Sequence, residues 1–259
     1  IKLSSENFPA DFIAEGVDQT RGWFYTLHAI AALVFDSVAF KNVVSNGLVL
    51  DKNGEKMSKR KGNVIDPFTT LTTYGADATR WYMISNADPW ENLKFDLEGI
   101  TEVRNKFFGT LFNTYNFFAI YANVDQFKVT NGKNIPIETR PELDRWILSR
   151  LQSLIKEYKI NMDNYEPTLS TRLIERFVND DLSNWHVRLS RRRFWKTDSS
   201  NEKISAFITL YECLISVSQL IAPFAPFFAD WLYKNLIEGS NENKSNEIVS
   251  VHLSTLPIQ

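Results

Sequence analysis

Phe40-Lys41-Asn42-Val43-Val44-Ser45-Asn46-Gly47-Leu48-Val49-Leu50 runs straight into Asp51-Lys52-Asn53-Gly54-Glu55-Lys56-Met57-Ser58-Lys59-Arg60-Lys61-Gly62-Asn63, and the reading of the fold turns on this stretch. Its first part is rich in β-branched residues and closes on Asp-Lys-Asn-Gly, the pattern of a strand and its exit turn. Its second part sets four cationic side chains between two glycines. Upstream, Asp11-Phe12-Ile13-Ala14 reads as a short strand ending at Glu15-Gly16. From Trp23 the apolar residues recur at 24, 27, 30, 31 and 34, a helical stripe with Asp18 as its candidate N-cap. Strand, helix, strand is the order of a parallel α/β unit. Residues 1–50 therefore read as the end of a larger α/β domain.

Beyond residue 66 the pattern turns helical. Ile100, Val103, Phe107, Leu111, Tyr115 and Phe118 keep a spacing of three and four, which predicts a long amphipathic helix. Residues 125–140 read as a connection. Thr139-Arg140-Pro141-Glu142 resembles a capping box for a helix bearing Leu143, Trp146, Ile147, Leu151, Leu154 and Tyr158. Pro167 opens a helix of at least five turns, and two more follow at 202–222 and 224–238, parted at Ala222-Pro223. Residues 239–247 are polar, and Ile248 to Leu253 alternates like a strand. The second half is thus an α-helical bundle, and Trp81, Met83 and Trp90 are expected in its core.

Composition sets outer bounds. Hydrophobic residues make up 44% and charged residues 23%, which fits a globular chain. The net charge of -2 announces no nucleic-acid binder, so any such footprint is local. Cys213 is the single cysteine, which excludes an internal disulfide and fits a reducing compartment such as the cytoplasm. The uncharged run from Cys213 to Ala229 holds two prolines over 17 residues, and reads as a core helix and not a membrane span. There is no Walker-A loop, no G-x-G-x-x-G and no H-E-x-x-H. His28 and His252 have no metal partners nearby in sequence and are read as structural. The opening at Ile1 and the abrupt end set the expectation of a piece of a longer protein.

Three segments carry candidate chemistry. In the Gly54–Gly62 loop, lysines on a mobile segment could neutralise charge on a transferring phosphate; alone, such a run is more often a solvated turn. Its place after a strand favours the first reading, since ligands sit beyond the carboxyl ends of strands in open sheets. Glu15-Gly16-Val17-Asp18-Gln19-Thr20-Arg21-Gly22-Trp23-Phe24 also follows a strand. Its carboxylates suit a ribose or an ammonium group, with Trp23 walling a pocket; the alternative is a capped helix start with Trp23 in the core. Third, in Trp185–Lys196, Trp185, Arg188, Arg192 and Trp195 fall within a helical stripe about 80° wide. Arginines beside stackable aromatics suit a ribose-phosphate backbone, and a basic helix end is the plainer alternative.

In this order the three segments resemble the class I aminoacyl-tRNA synthetases and, among them, the isoleucine enzymes. Lys56-Met57-Ser58-Lys59-Arg60 is similar to that class's KMSKS loop, residues 15–24 to the adenylate-binding segment, and Asn184–Arg188 with Arg191–Trp195 to the helical anticodon-binding domain. The resemblance implies a mainly α chain: a partial α/β segment of Rossmann type at the N-terminus, then an α-helical bundle. It assigns 1–66 to the end of the catalytic domain, 67–95 to a connecting helical segment, 96–240 to the anticodon-binding domain and 241–259 to the start of a further region. The implied activity joins isoleucine to ATP as an adenylate, then passes the aminoacyl group to tRNA(Ile), with ATP and Mg2+ required and no membrane involved. Lys59, assisted by Lys56, would stabilise the triphosphate. Glu15, Gly16, Asp18 and Gln19 would hold the adenylate, Trp23 would line the isoleucine pocket, and Gly47 and Met57 would lie near the adenine. Trp185, Arg188, Arg191 and Arg192 are the implied tRNA contacts.

Some positions depart from the family pattern. Arg60 replaces the last loop serine, and His186 and Leu189 stand where the family often has Tyr and Arg. The His-Ile-Gly-His tetrad and the editing domain, both upstream in the family, are not in this sequence, so the polypeptide alone is expected to activate nothing. Two alternatives remain: a valine enzyme, or a non-catalytic tRNA-binding helical module with an α/β cap.

Overall fold

The computed structural model describes residues 8–197, 200–239 and 250–257. The chain forms two compact units. The first takes the residues up to Asp66 together with Asn86–Asp96; the second takes Pro67–Ser85 and the residues from Leu97 onward. Residues 67–95 are therefore shared between them.

In the first unit, strand β1 (Ala10–Gly16) and strand β2 (Phe40–Asn46) pair in parallel, in register from Ala10 with Phe40 to Gly16 with Asn46. A parallel pair needs a crossover, and helix α1 (Trp23–Phe35) supplies it. Asp18 does not cap α1. It sits in a single 3-10 turn, Val17–Arg21, and Gly22 takes the N-cap position. The side chain that reaches the helix start is Gln19, whose Oε1 accepts the Trp23 N–H at 3.0 Å. α1 ends on Asp36 in the left-handed region, φ 48°. Strand β3 (Val49–Leu50) leaves the first sheet and pairs in parallel with β4 (Leu93–Lys94). Between β2 and β3 the chain passes so close to residues 89–92 that a Cβ on Gly47 would stand 2.1 Å from the Glu91 carbonyl oxygen. Only glycine fits there.

Among the described residues the second unit holds helices and no strand. Helix α2 (Pro67–Tyr74) opens on proline, stops at Gly75 (φ +88°) and gives way to α3 (Ala76–Asn86). The expected long helix runs as α4 (Leu97–Val103), a π stretch (Arg104–Phe108) and α5 (Gly109–Val124). Residues 125–140 are more than a connection: they hold helix α6 (Val129–Lys133) and a 3-10 turn. Gly132 lets α6 close on Ile208, since a Cβ there would lie 2.5 Å from the Ile208 Cβ. Helix α7 (Glu142–Asp163) follows. Then come α8 (Pro167–Arg176), a second π stretch (Phe177–Val187) and α9 (Arg188–Trp195), which together form one unbroken helical run. α10 (Asn201–Ile221) and α11 (Pro226–Gly239) complete the unit.

α10 is apolar enough by composition to cross a membrane, yet most of its length is buried among its neighbours. A helix apolar all round belongs in a core. Trp81 is fully buried, stacked on Phe107 at 4.3 Å and donating its indole N–H to Glu175 Oε1 at 2.6 Å.

Three further expectations are corrected. The Thr139–Glu142 capping box does not form: Pro141 holds the N-cap position without a side-chain bond, and Thr139 Oγ1 donates instead to the Pro136 carbonyl. The neighbouring Arg140 is drawn inward to a bidentate pair with Glu212, at 2.7 and 3.1 Å. Val251–Leu253 is a 3-10 turn and not a strand, fixed by Ser250 Oγ and by Asp230, which accepts the Val251 N–H; residues 240–249 lie outside the described residues. Trp90 is 46% exposed and is no core residue.

Candidate functional site

The cationic loop grows out of β3. Asp51, the first residue after that strand, is buried although Lys52 and Asn53 beyond it are exposed. Its Oδ1 accepts the N–H groups of Asn53 (3.0 Å) and Glu55 (2.8 Å), and its Oδ2 accepts the Asn63 side-chain amide (2.9 Å). The Asn63 bond first, then the backbone N–H groups, holds this carboxyl below its ordinary pKa. Asn63 Oδ1 in turn accepts the Ser58 N–H at 2.9 Å. Ser58 caps a short 3-10 turn, Lys59–Lys61, by accepting the Lys61 N–H on Oγ. The chain bends at Gly54 (φ +85°) and Gly62 (φ +68°), positions that favour glycine.

The four loop cations are not equivalent. Lys61 pairs with Glu55 at 2.9 Å, and that bond raises its pKa. Lys56, Lys59 and Arg60 are exposed and make no side-chain hydrogen bond or ion pair among the described residues. They stand on an ordered backbone with their charge unspent.

The parallel register sets Glu15 beside Ser45 and Gly16 beside Asn46, so the segments that begin at Glu15 and at Gly47 leave the sheet at the same edge. This is the carboxyl end of both strands, where open sheets take ligands. Trp23 is 44% exposed and does not fill the unit's core. Glu15, Asp18 and Trp23 face solvent, Gly16, Gln19 and Met57 are half-buried, and Gln19 gives only its Oε1 to the helix start, its Nε2 having no partner among the described residues. Gly47 has a packing role of its own beside Glu91.

In the second unit, Trp185, Arg188, Arg191, Arg192 and Trp195 are all exposed along one helical run. Trp185 lies 6.4 Å, ring to ring, from Trp146 on α7. Arg193 is different. It turns inward and bonds both oxygens of Asp144 at 2.7 and 2.6 Å, and the Glu202 carbonyl at 2.7 Å. His186 Nε2 donates to Asp144 Oδ1 at 3.0 Å, and Ser205 Oγ to Oδ2 at 2.9 Å. Burial works against the Asp144 charge, yet Arg193 and then His186 hold its pKa down at about 2. This clasp ties the first turn of α7 to the run that carries the exposed arginines and to α10.

Reading the sequence did not find Asp51, Asn63 or Asp144. The Asp-x-Asn-Gly turn after β3 was the available signal for Asp51; nothing local marks Asp144. Among the described residues no three His, Cys, Asp or Glu side chains group to hold a metal ion.

A profile described as class I tRNA synthetases (I, L, M and V) matches residues 2–96, and one described as the anticodon-binding domain of tRNA ligase matches residues 144–258. Isoleucine–tRNA ligase of Bacteroides fragilis is 60% identical over 98% of this chain, and that of Cytophaga hutchinsonii 59% identical over 99%. The chain spans 22% and 23% of their lengths. In fold, 96% of the chain superposes on 51% of a Mycobacterium tuberculosis methionyl-tRNA synthetase solved with methionyl-adenylate, with a TM-score of 0.72 at 16% identity.

Proposed function

The chain belongs to the class I tRNA synthetases, and from that membership we propose that it serves an isoleucine–tRNA ligase, supplying the KMSKS-like end of the ATP site and the anticodon-binding domain. The observation that carries this reading is the ordered loop whose Lys56, Lys59 and Arg60 are left unpaired at the end of a strand. The 60% identity to isoleucine–tRNA ligase supports the choice of amino acid.

In the first step a carboxylate oxygen of isoleucine attacks the α-phosphorus of ATP, and pyrophosphate leaves with the electrons of the broken P–O bond. Charge builds on the leaving phosphates, and a fixed cation near them lowers the barrier. Lys59, with Lys56, fills that role. Glu15, Gly16, Asp18 and Gln19 hold the adenylate, Trp23 borders the isoleucine side chain, and Gly47 and Met57 border the adenine. Magnesium would arrive with the phosphates of ATP and offset their charge. In the second step the aminoacyl group passes to the terminal adenosine of tRNA(Ile), while Trp185, Arg188, Arg191 and Arg192 take the tRNA. A cytoplasmic location follows from the same reading.

The test is Lys59→Ala in the complete ligase. Loss of one transition-state donor costs about 10²–10³ in kcat, so isoleucine-dependent ATP–pyrophosphate exchange should fall by that factor with an unchanged melting temperature. Lys61→Ala, whose charge is already paired, should have a far smaller effect. Wild-type exchange by Lys59→Ala would refute the assignment.

A further inference from the structure

We propose that Asp51 and Asn63 are positioning residues for the ATP step, clasping the two ends of the cationic loop so that Lys56 and Lys59 stand where the triphosphate needs them. This rests on reading the loop as an ATP-handling device. The loop carries like charges at 56, 59, 60 and 61, and among the described residues only Lys61 finds a partner, Glu55. Left to itself such a segment spreads. Two anchors prevent it. At the near end, one Asp51 oxygen gathers the N–H groups of Asn53 and Glu55. Across the loop, the other oxygen holds the Asn63 amide, and Asn63 holds the Ser58 N–H.

Ser58 lies between Met57 and Lys59, so the clasp reaches into the segment that bears both lysines. Hydrogen bonds to an ionised carboxylate are about twice as strong as neutral ones, and Asp51 directs three of them at this loop. The orientation of the Asn63 amide is fixed by its partners, because only N–H₂ can face the carboxylate and only oxygen can face the Ser58 N–H. Both side chains bond the loop backbone and each other, and so act through the lysines.

The polarity of the clasp can be reversed. Asp51→Asn sets N–H₂ against N–H₂, and Asn63→Asp sets carboxylate against carboxylate, with almost no change in volume. The double variant Asp51→Asn/Asn63→Asp restores the clasp while giving up the long 3.4 Å bond from the residue-63 amide to the Lys56 carbonyl: the amide at 51 donates to the carboxylate at 63, whose other oxygen still accepts the Ser58 N–H. In the complete ligase, each single variant should lower kcat for isoleucine-dependent pyrophosphate exchange by at least about tenfold, since a misplacement of about 1 Å costs up to 10²-fold. KM for isoleucine should not change, and the double variant should recover most of the rate. Hydrogen exchange at the Glu55 and Ser58 amides should speed up in the singles and slow again in the double. Single variants with wild-type kcat, or a double variant that melts normally but stays as slow as the singles, would overturn the proposal. If the wild-type ligase shows no isoleucine-dependent exchange, the functional reading falls and the positioning role with it. Amide exchange then still judges the clasp itself, and unaltered exchange in the singles would overturn that too.

Discussion

Asp144 accepts four hydrogen bonds with no exposure to solvent, and its ionisation makes the stability of the helical unit depend on pH. Its pKa falls from 3.8 to about 2 on folding, and at about 1.4 kcal/mol per unit this is worth about 2 kcal/mol. Because the folded value is the lower one, that stabilisation is complete above the unfolded pKa and is lost as pH falls through the folded one. Denaturant midpoints should therefore drop between about pH 4 and pH 2, and Asp144→Asn should flatten that limb while lowering stability at neutral pH. Arg193→Ala leaves the carboxylate buried without its main partner and should cost about 3–5 kcal/mol by chemical denaturation. At this scale the sequence showed the lysines of the loop and not what holds them. A cationic run and its flanking glycines are local patterns. The bonds from Asp51 to Asn63 and from Asp144 to Arg193 span 12 and 49 positions and depend on tertiary approach. Arg193 sits inside a run of arginines that reads as solvated, and only packing separates it from Arg192.

Among the elements, strand, helix and strand were legible as a parallel unit because their periodicities are strong and their exits carry turn residues. The long helices were legible for the same reason, but a π stretch was not, since the spacing of three and four from Ile100 to Phe118 runs through Arg104–Phe108 without a break. The capping box failed because Arg140, buried against Glu212 and Thr209, fixes the entry to α7 by itself. The arginines on the exposed face of the run through α9 are open to direct test. Arg188→Ala and Arg192→Ala should each weaken tRNA binding and reduce the slope of log K against log salt by about one unit per lost phosphate contact. Filter binding across a salt series checks this, and unchanged affinity with unchanged slope would return the arginines to a plain basic surface. Gly47→Ala should destabilise the first unit by at least about 1–3 kcal/mol, the usual range for overpacking, because the new methyl would meet the backbone of Glu91 and Asn92, which cannot swing aside as a side chain can.

Over the whole molecule the two units differ in how they are held. Nearly all of the large, fully buried side chains lie in the helical unit, among them Trp81, Phe107, Tyr158 and Phe207. In the first unit, Phe12, Tyr25, Leu33 and Val34 are exposed on a two-stranded sheet and its helix. Parallel sheets are ordinarily covered on both faces, so in this 259-residue chain the first unit should lose its structure at lower denaturant than the second, seen as faster amide exchange in β1 and β2. Amino-acid-dependent ATP–pyrophosphate exchange by the complete protein bears on the proposed role itself. We predict that isoleucine drives exchange with a kcat/KM about 10–200-fold above that of valine, the discrimination one methylene allows. Equal rates, or a preference for valine, would contradict the account.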